Sequence, residues 1–125
     1  VKHNTLVDQE REIEEMADFV NFDYEFYSEI DQPDQALRRE AEERMRALAE
    51  GHRDMIGASV AVEELTGSET PHRYQARVVA YIKPDNLVAV EKAEHALPAL
   101  KAALDALERQ VRDLRAEMRD KSRRP

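Results

Sequence analysis

The residues best equipped to do chemistry stand near the end of the chain. In "KAALDALERQVRDLRAEMRDKSRRP", Lys101, Arg112, Arg115 and Arg119 recur at intervals that match whole turns of an α-helix. A helix turns about 100° per residue. These four cations therefore share one flank, with Glu108 among them, while Asp113, Glu117 and Asp120 fall on the other. Guanidinium groups one turn apart suit a repeating anion, because each can grip a phosphate through two parallel hydrogen bonds. The same spacing also serves a purely structural use. Cations near a helix C-terminus complement its dipole and pair with acids one turn away. Residues 101–125 hold eight basic and five acidic residues, whereas the 125-residue chain carries a net charge of −8. So acidic a chain repels free nucleic acid on average, and any polyanion contact must come from a local patch.

Catalytic chemistry has little to build on. The chain has no GxSxG, P-loop, GxGxxG or HExxH pattern. His3, His52, His72 and His95 fall at unrelated positions, so no metal site is expected. Glu42–Glu43 and Glu63–Glu64 are adjacent pairs whose side chains diverge, a poor arrangement for paired acid–base work. There are no cysteines, which removes disulfides and thiolate ligands and fits a reducing compartment. No apolar run approaches the ~18 residues of a membrane span, and the first residues lack the apolar core of a secretion signal. The expectation is a cytoplasmic binding protein, without cofactor or metal, that is not an enzyme.

Several elements must position the basic flank. Leu97, Leu100, Leu104, Leu107, Val111, Leu114 and Met118 step by three and four, predicting a long helix that begins near Glu94. Pro98 is tolerable there because it lies in the first turn. A second helix is predicted over 33–51, with Leu37, Ala41, Met45 and Leu48 as its apolar stripe, Pro33 in its first turn and Gly51 as its stop. "FDYEFYSEI" (22–30), "IGASVAVEEL" (56–65), "RYQARVVAYI" (73–82) and "LVAVEKA" (87–93) read as strands. "TGSETPH" is a loop, and Pro84 sits in the turn between the last two strands. The order is β-α-β-β-β-α, an α+β fold. The first two strands should run parallel through a right-handed crossover and the rest antiparallel, as one mixed four-stranded sheet with both helices on one face. Residues 1–21 form an acidic extension, with Leu6, Ile13, Met16 and Val20 at roughly helical spacing and Thr5 as a candidate N-cap. Residues 22–121 form the domain, and 122–125 a tail.

The uncovered sheet face is a second candidate surface. Tyr27, Arg77 and Tyr81 point away from the helices, and aromatics with arginine can stack bases. Asp23 and Glu25 share that face.

The second half of the chain resembles the ribosome-associated inhibitor and hibernation-promoting factors of bacteria. The likeness rests on the start at His72–Arg73, the alternating strand to Ile82, the turn at Pro84, "LVAVEKAE", and "ALKAALDALERQVRDLR", with "LERQVR" (107–112) the nearest literal match. Upstream, "ALRREAEERMRALAE" is similar to the family's first helix. The resemblance implies binding to the small ribosomal subunit, where messenger and transfer RNA sit, and a block of initiation under stress. It implies contacts to ribosomal RNA from Arg109, Arg112 and Arg115 on the last helix and from Arg38, Arg44 and Arg46 on the first. With the flank residues Lys101 and Arg119, these form the expected RNA-binding set. The pattern departs from the family at His95, Ala96, Leu97 and Asp113 and in the extension 1–21. A diverged protein-interaction module on the same fold is the alternative.

Overall fold

The computed structural model describes residues 22–65, 73–82 and 86–123. The expected extension 1–21, the loop 66–72, the turn at Pro84 and the end of the tail lie outside the described residues. Six elements follow one another: β1 (Asp23–Glu29), α1 (Gln35–Gly51), β2 (Met55–Glu64), β3 (Tyr74–Ile82), β4 (Leu87–Ala93) and α2 (Ala96–Arg123). This is the predicted order, and the spatial order of the strands is the same, β1-β2-β3-β4. β1 pairs parallel with β2, and the other two pairings are antiparallel. Among the described residues no helix is long and apolar enough to cross a membrane.

Burial follows the two periodicities. Along β1, Tyr24, Phe26 and Ser28 are half-buried while Asp23, Glu25, Tyr27 and Glu29 are exposed. Ala58, Val60 and Val62 of β2 and Ala76, Val78, Ala80 and Ile82 of β3 are buried beneath Leu37, Ala41 and Met45 of α1 and Leu100, Leu104, Leu107 and Val111 of α2. The small alanines on the central strands let both helices approach the sheet closely. Each fully buried leucine contributes up to about 1.5–3 kcal/mol of transfer free energy. Met118 prolongs the same stripe of α2 yet is exposed, so the helix outruns the core it packs on.

Three local details depart from expectation. Pro33 precedes α1 instead of entering its first turn, and Asp34 occupies the N-cap position. Its carboxylate does not cap. It accepts from Ser28 Oγ at 2.8 Å and Arg38 Nε at 3.0 Å, tying β1 to the start of α1. Val79 belongs to the uncovered face but is buried, flanked in register by Ser59 and Val88 at the middle of the sheet. The pairing of β2 with β3 slips between Met55 and Gly57, which leaves Ile56 exposed. Gly57 is required there: a Cβ would lie 2.6 Å from the Asp23 carbonyl oxygen and 3.2 Å from the Tyr81 ring.

Candidate nucleic-acid interface

The two helices lie side by side on the sheet, and the seam between them divides by charge. In its middle, Arg44 of α1 reaches across to α2. Its Nη2 lies 2.5 Å from Asp105 Oδ1 and 2.9 Å from Glu108 Oε1, and its Nε donates to Glu108 at 3.2 Å. Glu40, one turn back, lies 3.9 Å from Nη1. Burial alone would lower the guanidinium pKa, but the hydrogen bonds to Asp105 and Glu108 raise it, so the charge is firmly held. Glu108, which the sequence interleaves with the basic flank, is thereby engaged by Arg44.

Toward the C-terminus of α2 the seam opens into a cleft of about 860 Å3. Arg112, Arg115, Met118 and Arg119 line one wall, and Gly51, His52, Arg53 and Asp54 line the other. Those last four residues form the turn from α1 to β2. Backbone bonds hold it, His52 N–H to Ala49 O at 3.2 Å and Met55 N–H to His52 O at 3.0 Å. Arg115 spans the cleft: its Nε donates to His52 Nδ1 at 3.1 Å and its Nη2 binds the Asp54 carboxylate. Arg53, Arg112 and Arg119 are exposed beside it. Asp113 projects about 100° further round the helix from Arg112, away from the cleft.

The eight expected RNA-binding residues thus separate. Arg112, Arg115 and Arg119 come together in the cleft. Lys101 lies exposed on the same flank, three turns toward the N-terminus of α2, and Arg109 is exposed on the outer surface of that helix. Arg44 is spent on the interhelical bridge. Arg38 and Arg46 stand on the opposite flank of α1 from Arg44. Arg38 pairs with Asp34 and sits 4.8 Å over the Phe26 ring, and Arg46 Nη2 lies 2.7 Å from Glu42. Tyr24 lies under that flank, and its burial, with Glu42 adding to it, pushes the phenol up to about 12. Sequence reasoning missed Arg53 together with its neighbours His52 and Asp54. The signal was "GHRD" directly after the glycine stop, but only the topology brings that turn to the end of α2.

The uncovered face is less suited to nucleic acid. Tyr27 and Arg77 lie in one row across the sheet, Tyr27–Ala61–Arg77–Val90, and Tyr81 lies two rows away beside Gly57 and Asp23. The tyrosines do not adjoin. Tyr27 donates to Glu25 at 3.1 Å, a bond that raises its pKa, and Asp23, Glu25, Glu29 and Glu63 make the face acidic. Among the described residues no group of three or more His, Asp or Glu is placed to hold a metal ion.

Comparison with known proteins fits this geometry. A family model described as sigma 54 modulation protein / S30EA ribosomal protein matches residues 29–119. No curated protein sequence matches significantly. Two solved structures share the fold. The Protein Y N-terminal domain of Thermus thermophilus superposes with a TM-score of 0.59 at 20% identity, covering 74% of this chain and 97% of that one. A ribosomal subunit interface protein from Coxiella burnetii has the same TM-score at 10% identity, covering 74% and 98%.

Proposed function

Because the chain belongs to the sigma 54 modulation protein / S30EA ribosomal protein family, we propose that it is a ribosome-associated translation inhibitor of the hibernation type. It acts by occupancy. The arginines at the open end of the helix seam pair with small-subunit rRNA phosphates, and the bound domain excludes messenger and transfer RNA. Such a factor needs no covalent chemistry and works in the cytoplasm, where ribosomes are. The observation that carries this reading is the gathering of Arg53, Arg112, Arg115 and Arg119 in one cleft of an otherwise acidic chain. Arginine suits it because its planar fork matches a phosphate in two bonds at once.

Co-sedimentation with purified small ribosomal subunits across a salt series tests it. Pelleting at low salt should fall steeply as salt rises, because phosphate contacts release counterions. The slope should become shallower in Arg112→Ala combined with Arg119→Ala. Absence of pelleting with intact subunits at low salt would overturn the reading. A protein-contact role has one observation of its own, the exposed Ile56, Tyr27, Val88 and Val90 on or beside the open sheet face. That role requires binding that is weakly salt-dependent and indifferent to the same two substitutions.

A further inference from the structure

The cleft at the end of the seam has two unmet surfaces side by side. One is cationic, Arg53, Arg112 and Arg119 around the clamped Arg115. The other is apolar: along the stripe of α2, Val111 is buried and Leu114 is half-buried, but Met118 is 41% exposed. A polyanion alone satisfies the first and leaves the second wet. An acidic segment with an apolar stripe satisfies both.

The chain carries such a segment, and it enters the fold at the right place. Residues 1–21 hold six acidic and two basic residues, with Leu6, Ile13, Met16 and Val20 at roughly helical spacing. They run directly into β1. The first residue of β1, Asp23, pairs with Gly57, and Met55 is bonded to His52. The start of β1 therefore lies at the same end of the sheet as the His52–Asp54 turn, one strand away from the cleft wall. Reach is ample, since 21 residues span about 30 Å even as a helix at ~1.5 Å per residue. A tethered segment also acts at an effective concentration in the millimolar range, so weak contacts suffice.

We propose that residues 1–21 dock in the Arg53–Arg112–Arg119 cleft, setting their acids against its arginines and their apolar residues against Met118. Docked there, the segment competes with any phosphate-bearing partner. Apparent affinity for a polyanion then scales with the fraction of molecules in which the cleft is open; a cleft covered nine-tenths of the time binds about tenfold more weakly. The inference shares the cleft with the ribosome reading but does not depend on the identity of the outside partner.

A nitroxide label tests the docking in the full chain without ribosomes. The chain has no cysteine, so Val7→Cys gives a single attachment site. Paramagnetic broadening should appear at the amides of Arg53, Ala116 and Met118. It should disappear in Arg112→Glu combined with Arg119→Glu, and when an unstructured RNA oligonucleotide is added. Broadening centred on Tyr27, Val88 or Val90, or unchanged by the double substitution, overturns the proposal. So does broadening that passes between labelled and isotope-enriched copies in a mixture. In parallel, Glu10→Gln, Glu12→Gln, Glu14→Gln and Glu15→Gln together should tighten oligonucleotide binding about tenfold. The same charge change at Asp23, Glu25, Glu43 and Glu50 should do distinctly less; equal effects from the two sets would mean general repulsion and overturn the docking. Failure here leaves ribosome binding standing, and failure to pellet with subunits leaves the docking standing.

Discussion

Arg44 and Arg112 face into the same interhelical seam from opposite sides, yet their surroundings differ completely. Arg44 meets Asp105 and Glu108, which lie one turn apart on α2 and close on it like a clasp. Arg112, one turn beyond Glu108, meets the turn at His52–Asp54, where the single acid is already engaged by Arg115. The register of a few carboxylates decides which arginines hold the fold together and which are left to hold something else. It also explains how a chain of net charge −8 can carry a cationic cleft: acids are abundant, but they are used up or placed elsewhere near it.

Substitutions at the two ends of the seam should fail in opposite ways. The largest effect belongs to the open end. Arg112→Glu with Arg119→Glu removes two cation–phosphate bonds, each worth about 1.5–3 kcal/mol, and adds repulsion. Affinity for small subunits should fall at least a hundredfold, measured by co-sedimentation. Both residues are exposed, so stability should move by no more than about 0.5 kcal/mol. The closed end should show the converse. Arg44→Ala removes the bridge and leaves Asp105 beside Glu108. It should destabilise the fold by about 1 kcal/mol, a fall in melting temperature of roughly 4 °C or more for a domain of this size, with little change in subunit binding. A double-mutant cycle with Asp105→Ala should return a coupling of the same order. An Arg44→Ala protein that is fully stable but no longer binds would invert the comparison.

Much of this was legible beforehand, and the limits have physical causes. The element order followed from apolar periodicity, because periods of 2 and 3.6 residues record burial directly, as at Tyr24, Phe26, Leu100 and Leu107. The flank of Arg112, Arg115 and Arg119 followed from the same geometry. What periodicity cannot supply is which flank faces which neighbour. Arg44 and Arg46 sit two residues apart on α1 but on opposite sides of it, and only the packing against α2 turns one into a bridge. Arg53 was invisible because a turn has no period. The bulge at Ile56 was likewise hidden, although Gly57 beside it marked the close approach to Asp23.

A smaller effect tests the clamp between the two ends. Asp54 neutralises Arg115 within the cleft. In Asp54→Asn the guanidinium keeps His52 as a neighbour but loses its countercharge, so Arg115 joins Arg53, Arg112 and Arg119 as a phosphate contact. Subunit affinity at low salt should rise a few-fold, and the logarithmic salt slope should steepen by about 0.9, the value of one added phosphate contact. An unchanged slope would make Arg115 part of the structural set with Arg44.

The smallest effect lies at the far end of α1 and asks how far the division of labour extends. Asp34 holds β1 to α1 through Ser28 and Arg38. The hydrogen bond from Ser28 is the main cause that keeps its pKa below the ordinary value of 3.8, with Arg38 adding to it against the cost of desolvation. A depressed folded pKa stabilises the fold above the unfolded value, and that contribution is lost as pH falls through the lower, folded one. Ser28→Ala should therefore move the Asp34 titration, followed by carboxyl NMR, upward toward 3.8. The chain's acid sensitivity should shrink with it, and subunit binding at neutral pH should not change, because Asp34 is ionised there in both proteins. A loss of binding in Ser28→Ala at neutral pH would mean that the start of α1, and with it Arg38, belongs to the binding surface after all.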